Sequence, residues 1–373
     1  MLARLRGVSW GRVIQLLLIP ILSVVTAIAV GAMVILATGG DPLLAFEGMV
    51  EGAFGSKKAL SETVVAATPY IFAGLAVALA FKGGLFNIGA EGQIAIGAIC
   101  GVWVGYALPE VLSVKQLPAV VHLPLVLLAG MIGGAIWGGL PGWLKARTGA
   151  HEVINTIMMN YLALLLSGWL LGGPMRDPNP LNVLSQTKKI APSAYIPVMF
   201  EGYRLHWGVV LALAVAALVY WLLWKTTIGF EIRTVGANPE AAHYAGIRVG
   251  RTMALSMALS GLLAGLAGAV EVAGVHHYHT LGFSVGYGFD SIAIALLGRN
   301  HPLGVILGAL LFGAMRNGAT QMQFRSQVSV DIISVIQALI LMFVAAEAII
   351  RWLYRIKAPE AGEELILTRG WGH

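Results

Sequence analysis

Six polar side chains stand in stretches that are otherwise apolar: Asn87, Glu91, Gln93, Asn155, Asn160 and Asp290. Amides and carboxylates in such settings can hydrogen-bond one helix to another, or they can offer donors and acceptors to a polar solute passing between helices. Glu152, Asn155 or Thr156, and Asn160 fall at i, i+3/i+4 and i+8, so they form a stripe on one helix face, and the cost of bare polar groups in hydrocarbon turns that face inward. Glu91 and Asp290 share a second feature. Each lies among glycines at the start of an apolar run, in Gly89-Ala-Glu-Gly-Gln-Ile-Ala-Ile-Gly97 and in Gly288-Phe-Asp-Ser-Ile-Ala-Ile-Ala-Leu-Leu-Gly298. A helix N-terminus has free N–H groups and a partial positive charge, which favour a nearby carboxylate. Two roles stay open for the pair: capping of broken helices, or the lining of a break. Glu271 and Glu347, like the stripe, can either hydrogen-bond one helix to another or line a pathway.

Other chemistry is missing. No Gly-x-x-x-x-Gly-Lys-Ser/Thr phosphate loop occurs, and Gly52-Ala-Phe-Gly-Ser-Lys-Lys58 fails its spacing. There is no serine-hydrolase elbow, no His-Glu-x-x-His and no cysteine pair, Cys100 being alone. His276, His277 and His279 invite a metal, and His276 and His279 would share a helical face, but no carboxylate or cysteine joins them nearby. The wet end of a span explains them. Catalytic residues and a metal site are therefore not expected.

These residues need helices to position them. Of 373 residues, 58% are hydrophobic and 11% charged, where a soluble domain has about a quarter charged. That excludes a disordered chain, a disulfide scaffold and a soluble globular enzyme. The expected class is an all-α polytopic membrane protein, with 47 glycines pointing to many close-packed helices. A span needs about 20 apolar residues. Ten candidates meet or approach this: Val13–Ala37, Ala66–Phe81 (with a start as early as Leu60), Phe86–Leu108, Leu123–Leu144, Val153–Leu171, Trp207–Trp224, Met253–Gly274, Val285–Leu297, Leu303–Met315 or a little beyond, and Ile332–Ile350. The eighth is too short to cross unaided.

Gly134/Gly138/Gly142, Gly261/Gly265 and Gly304/Gly308 repeat at four-residue spacing, a signal for close packing. With both termini cytoplasmic, fifteen Lys and Arg fall inside and nine outside, Arg316 among the latter, as the positive-inside rule expects. The net charge of +6 then needs no nucleic-acid partner. Spans two to five and seven to ten form units of opposite sense, the layout of an inverted repeat. The whole chain, 1–373, reads as one transmembrane domain with an external loop at 172–206 and a cytoplasmic loop at 225–251.

That cytoplasmic loop contains Pro239-Glu-Ala-Ala-His-Tyr-Ala-Gly246. It resembles the Glu-Ala-Ala-x-x-x-Gly loop of permease subunits in ATP-binding-cassette importers, matching at Glu240, Ala241, Ala242 and Gly246. Asn238-Pro239-Glu240 is a good helix start and Gly246 a good stop. Gly84–Gln93, His151–Tyr161 and Gly288–Gly304 resemble the branched-chain amino acid/ribose permease superfamily, nearest to its nucleoside and simple-sugar permeases. In that family the loop forms a coupling helix docked on the ATP-binding subunit. At position 151 this chain has His where the family often has Asn.

The resemblance implies a type II-like importer permease of the bacterial cytoplasmic membrane, translocating nucleosides. The alternatives are a ribose-type sugar permease and an ion-coupled transporter with Glu91, Glu152 or Asp290 as relay. The implied partners are an ATP-binding cassette subunit holding ATP and magnesium, a second, related but different permease, an extracytoplasmic binding protein and membrane lipid. No cofactor is expected in this chain. Asn87, Glu91, Gln93, Asn155, Asn160 and Asp290 are the expected conduit residues, because amides and carboxylates suit ribose hydroxyls and base edges.

Overall fold

The computed structural model describes residues 10–112, 117–179, 185–284 and 286–356, with side chains from Leu18 onward. Arg4, Arg6, Lys115, Lys357 and Arg369 of the charge count lie outside the described residues, as does Val285 of the eighth expected span. The helices are α1 (Trp10–Ala37), α2 (Pro42–Phe54), α3 (Lys57–Lys82), α4 (Ala90–Val111), α5 (Ala119–Thr148), α6 (Glu152–Gly172) and α7 (Gly208–Lys225). There follow α8 (Thr227–Ala237), α9 (Pro239–Tyr244), α10 (Val249–Glu271), α11 (Tyr287–Leu297), α12 (Pro302–Ser326), α13 (Asp331–Ala345) and α14 (Glu347–Leu353). The chain is all-α and polytopic, and isolated bridges are the only β pairing among the described residues.

Every one of the ten expected spans contains a helix, but eight are long and apolar enough to cross a membrane. The tenth is a bent pair: α13 and α14 meet at 85°. The eighth is α11, whose 11 residues reach about 16 Å at 1.5 Å per residue. Its partner in the first half also starts late, since the expected start at Phe86 gives way to a buried loop and α4 opens at Ala90.

Helix packing repeats when the two halves are exchanged. α10 packs on α5 and α4, and α3 packs on α12 and α11; α4–α5 and α4–α6 recur as α11–α12 and α11–α13. Gly134 and Gly138 of α5 face Gly261 and Gly265 of α10 so closely that a Cβ on any of them would strike backbone. The expected glycine seam thus packs backbone on backbone. Gly304 meets Gly298, closing the α11–α12 turn.

Charged groups gather at the two ends of the bundle. One end has Lys145 bonded to Glu152, and Arg299 and Arg351 both bonded to Glu347. The other has Lys188 with Glu110, Arg204 with Glu62, and Arg325 with Glu47 and Glu51. Arg316 belongs to neither. It was expected outside, yet it lies halfway along α12.

Candidate functional site

The site grows from the starts of α4 and α11, which meet head to head. A Cβ on Gly288 would collide with the backbone of Ala90 and Glu91. Two positive helix ends therefore converge, and polar side chains collect there to answer them. Of the two roles left open for Glu91, capping of a broken helix is the one its hydrogen bonds show, but the helix is α11. Glu91 does not cap its own helix. Its carboxylate reaches across and accepts from the N–H of Gly288 at 2.7 Å, the N–H of Gly286 at 3.3 Å and the hydroxyl of Ser284. Gly286, at φ +87°, turns the chain into α11 in a conformation that disfavours other residues.

α4 is capped instead by amides. Asn87 Oδ1 accepts from Gly89 N–H at 2.9 Å, and Asn160 Oδ1 from Gly92 N–H at 2.8 Å. Asn160 Nδ2 donates to the Ile88 carbonyl. Asn87 and Gln93, each 1% exposed, bond to one another in both directions, and Asn87 also donates to Ser260 of α10. The stripe on α6 does face inward. Thr156 and Glu152 are buried, and Asn160 reaches α4. Asn155 lies on the same helix with a buried Nδ2 that has no hydrogen-bond partner. Glu152 is held by Lys145 at 2.5 Å, which makes it part of the α5–α6 corner rather than the site. Glu347 is likewise an ion-pair residue, between Arg299 and Arg351.

Asp290, one turn into α11, serves a different cluster. Tyr70 of α3 donates its hydroxyl to Asp290 Oδ2 at 2.8 Å, and Arg316 Nη1 donates to the Tyr70 hydroxyl at 3.2 Å. The Arg316 guanidinium lies 4.9 Å above the Tyr287 ring, and Tyr287 meets Tyr70 edge-on at 5.0 Å. Tyr70 stands midway along a 26-residue span, so the cluster is at mid-membrane depth. Asp290, Arg316 and Glu91 each keep partial exposure there. A charge at that depth with open surface belongs on a protein or water boundary, not on lipid.

Tyr70, Tyr287 and Arg316 were missed in the sequence. Arg316 was the available signal, a cation in the middle of Pro302–Ser326, hidden because the expected ninth span was drawn to Met315 or only a little beyond and Arg316 was counted as an external charge. The histidines do not share a helix face: a π-turn at Val272–His276 ends the helix, and His277 has φ +63°. Among the described residues no three His, Cys, Asp or Glu gather as a metal site.

The second site is α9, which follows directly on the C-terminal end of α8. Asn238 caps α9, accepting from Glu240 N–H at 2.9 Å and Ala241 N–H at 3.0 Å. The helix closes in a Schellman arrangement: Gly246 N–H bonds the His243 carbonyl, Ile247 N–H bonds that of Ala242, and Gly246 sits at φ +81°. The two alanines divide. Ala242 is buried against the chain, whereas Ala241 is exposed beside Glu240, His243 and Tyr244, the last 94% exposed.

Comparison with known proteins meets this geometry. Residues 59–345 match the family described as branched-chain amino acid transport system / permease component. The chain is 40% identical over 343 residues to the guanosine ABC transporter permease protein NupP of Bacillus subtilis (strain 168), covering 90% of this chain and 95% of that one. It is 36% identical over 355 residues to the nucleoside ABC transporter permease protein NupB of Lactococcus lactis subsp. cremoris (strain MG1363), with 93% and 95% covered. It is also 36% identical over 334 residues to a glucose ABC transporter permease protein of Haloferax volcanii, with 87% and 86% covered. A polytopic helical bundle with a repeated packing plan, a polar break at mid-depth and this match over most of its length belongs to the branched-chain amino acid transport system permease family, and the chain is a membrane-embedded permease subunit.

Proposed function

We propose that the chain carries nucleosides through the cytoplasmic membrane as one permease of an ATP-driven importer. Its partners would be an ATP-binding cassette subunit, a second, related but different permease and an extracytoplasmic binding protein. The observation that carries the importer reading is α9: a capped six-residue helix offering Glu240, Ala241, His243 and Tyr244 outward, with Tyr244 left uncovered by the described residues. An aromatic so exposed beside a small residue suits a groove on a protein partner. In this reading both termini are cytoplasmic, and nucleotide binding in the partner moves α9. The conduit then passes the converging starts of α4 and α11, where Asn87, Glu91, Gln93, Asn155, Asn160 and Asp290 are joined by Tyr70, Tyr287 and Arg316. Two carboxylates there face one guanidinium and two helix N-termini of about half a positive charge each, so the break is close to neutral. That balance suits an uncharged solute rich in hydroxyls and amides.

The guanosine and nucleoside permeases among the relatives support nucleosides, and the glucose permease keeps a sugar as the second reading. The complex reconstituted in liposomes with its binding protein and ATP should take up guanosine and ignore glucose and ribose. Uptake of sugar alone would sink the nucleoside reading. Ala241→Arg should stop uptake while ATP hydrolysis continues, and undiminished uptake by that variant would sink the docking of α9.

A further inference from the structure

α9 is joined to its two neighbours in unequal ways. On one side Asn238 ends α8 and begins α9: its N–H donates to the Thr234 carbonyl at 3.0 Å while its side chain caps α9. Asn238 alone joins the two helices and is hydrogen-bonded to both. On the other side Ala245, Gly246, Ile247 and Arg248 intervene before α10, and Gly246 is in the left-handed region with open space around it. A push on α9 is transmitted stiffly to α8 and loosely to α10.

α8 is pinned near its start. Gly229 lies against the backbone of Leu222 and Leu223 at the end of α7, and Arg233 Nε donates to the Leu223 carbonyl at 2.8 Å. Its far end, Gly236, rests on the loop between α3 and α4. A Cβ there would stand 2.7 Å from Gly84 N and 2.9 Å from the Gly83 carbonyl carbon, and would strike the Lys82 carbonyl oxygen. Gly84, at φ +70°, presses back: a Cβ on it would lie 2.9 Å from Gly236 Cα. Both surfaces are backbone, so neither can yield by rotating a side chain. The loop that is pressed carries Asn87 and leads within five residues of Gly84 to the cap of α4, and so to Glu91 and the start of α11.

We infer that Gly236 is the positioning residue through which motion of α9 enters the membrane. α8 is a lever pivoted on the end of α7, and its stroke goes to the α3–α4 break rather than along α10. The inference rests on the reading that α9 docks on the ATP-binding subunit.

Hydrogen exchange on the assembled complex in nanodiscs, with and without a non-hydrolysable ATP analogue, tests both and tells them apart. In the unmodified protein, amides of Leu85–Glu91 should change their exchange with nucleotide. In Gly236→Ala that response should vanish and uptake should fall about tenfold, within the range of a lost coupling, while ATP hydrolysis and protection of α9 by its partner persist. The inference is overturned if Leu85–Glu91 in the unmodified protein ignores nucleotide while Val249–Ser256 responds, or if Gly236→Ala transports normally. Should the ATP-binding subunit leave α9 unprotected, the docking reading falls, and the inference with it. The measurement on unmodified protein decides the matter even if the variant does not fold.

Discussion

The α5–α10 crossing and the α3–α12 crossing occupy equivalent places in the two halves, yet they are made of different material. In the first, Gly130, Gly134, Gly138, Gly261 and Gly265 bring backbone onto backbone, and Gly97 of α4 presses on Gly265 as well. In the second, Gly313 meets Ala67 and Gly74 meets the Val305 side chain, and the crossing is occupied by Tyr70 and Arg316, tied to Asp290 of α11. A glycine contact leaves nothing to rotate and has one arrangement. A hydroxyl, a carboxylate and a guanidinium can exchange partners among themselves or with a solute, so they have several. One crossing holds the bundle together, and the other can change state within it.

The contrast is broken most severely at Gly265. A leucine there would drive its Cβ into the Gly130 carbonyl and to 2.8 Å from Gly134 Cα. Gly265→Leu should cost more than about 3 kcal/mol, the upper part of the overpacking range, and leave no assembled complex after extraction. Gly308→Ala in the other half, on the α12 face that packs on α11, where a Cβ meets Ile294 Cγ2 and O at 3.3 Å, should give assembled complex at near-normal yield. Equal yields from the two variants would remove the distinction.

Much of this plan could be read from residue types alone. The Gly134/Gly138 and Gly261/Gly265 spacing pointed to tight faces, and the start and stop of α9 followed from Asn238, Pro239 and Gly246, but not that Ala242 would turn inward while Ala241 faces out. What could not be read was partnership across the fold. Glu91 looks like the cap of α4 because it is in its first turn, but its carboxylate serves α11, 193 to 197 positions away. Arg316 looks external because the apolar run weakens there, and only the approach of Tyr70 places it at mid-depth. α2 went unforeseen because 13 residues interrupted by Glu47 and Glu51 are too short and too polar for a span, although Asp41-Pro42 is a plain helix start.

The polar crossing can be probed without breaking the welded one. Arg316→Met removes the cation that shares the Tyr70 hydroxyl with Asp290, and Asp290→Asn removes the carboxylate that accepts from that hydroxyl. Each should lower uptake about tenfold or more, near 1.4 kcal/mol in the limiting step, with assembly and ATP hydrolysis retained. If the Asp290–Tyr70–Arg316 chain merely holds α11, α3 and α12 together, the double variant should regain uptake, because the charge imbalance left by either single change is gone. If the charges act on the solute or on switching, the double variant should stay as impaired as the worse single one.

The mildest probe is acid applied to the end of the welded helix. Where α10 finishes, the His206 ring lies against Gly274 and accepts from Gly208 N–H on Nδ1 at 3.1 Å, while its buried Nε2 has no partner. His279, 1% exposed, packs on Phe283 with neither ring nitrogen hydrogen-bonded. Burial holds both rings below the usual histidine range, His279 down from 6.5 to about 4. The unfolded chain therefore takes up protons that the folded chain refuses. Stability is fully present above about pH 6.5 and is lost as pH falls toward 4, by on the order of 3 kcal/mol for His279 at the limit. The melting temperature of the assembled complex should be flat from about pH 8 to 7 and decline below 6.5, and His279→Phe should flatten that decline. Exchange of amides in 187–206 should rise first, because these strands of loop bond His277, His279 and Ala273, while α5 and α10 stay protected by their glycine contact. Earlier loosening of α5 and α10 under acid would show that the glycine crossing is not the more rigid of the two.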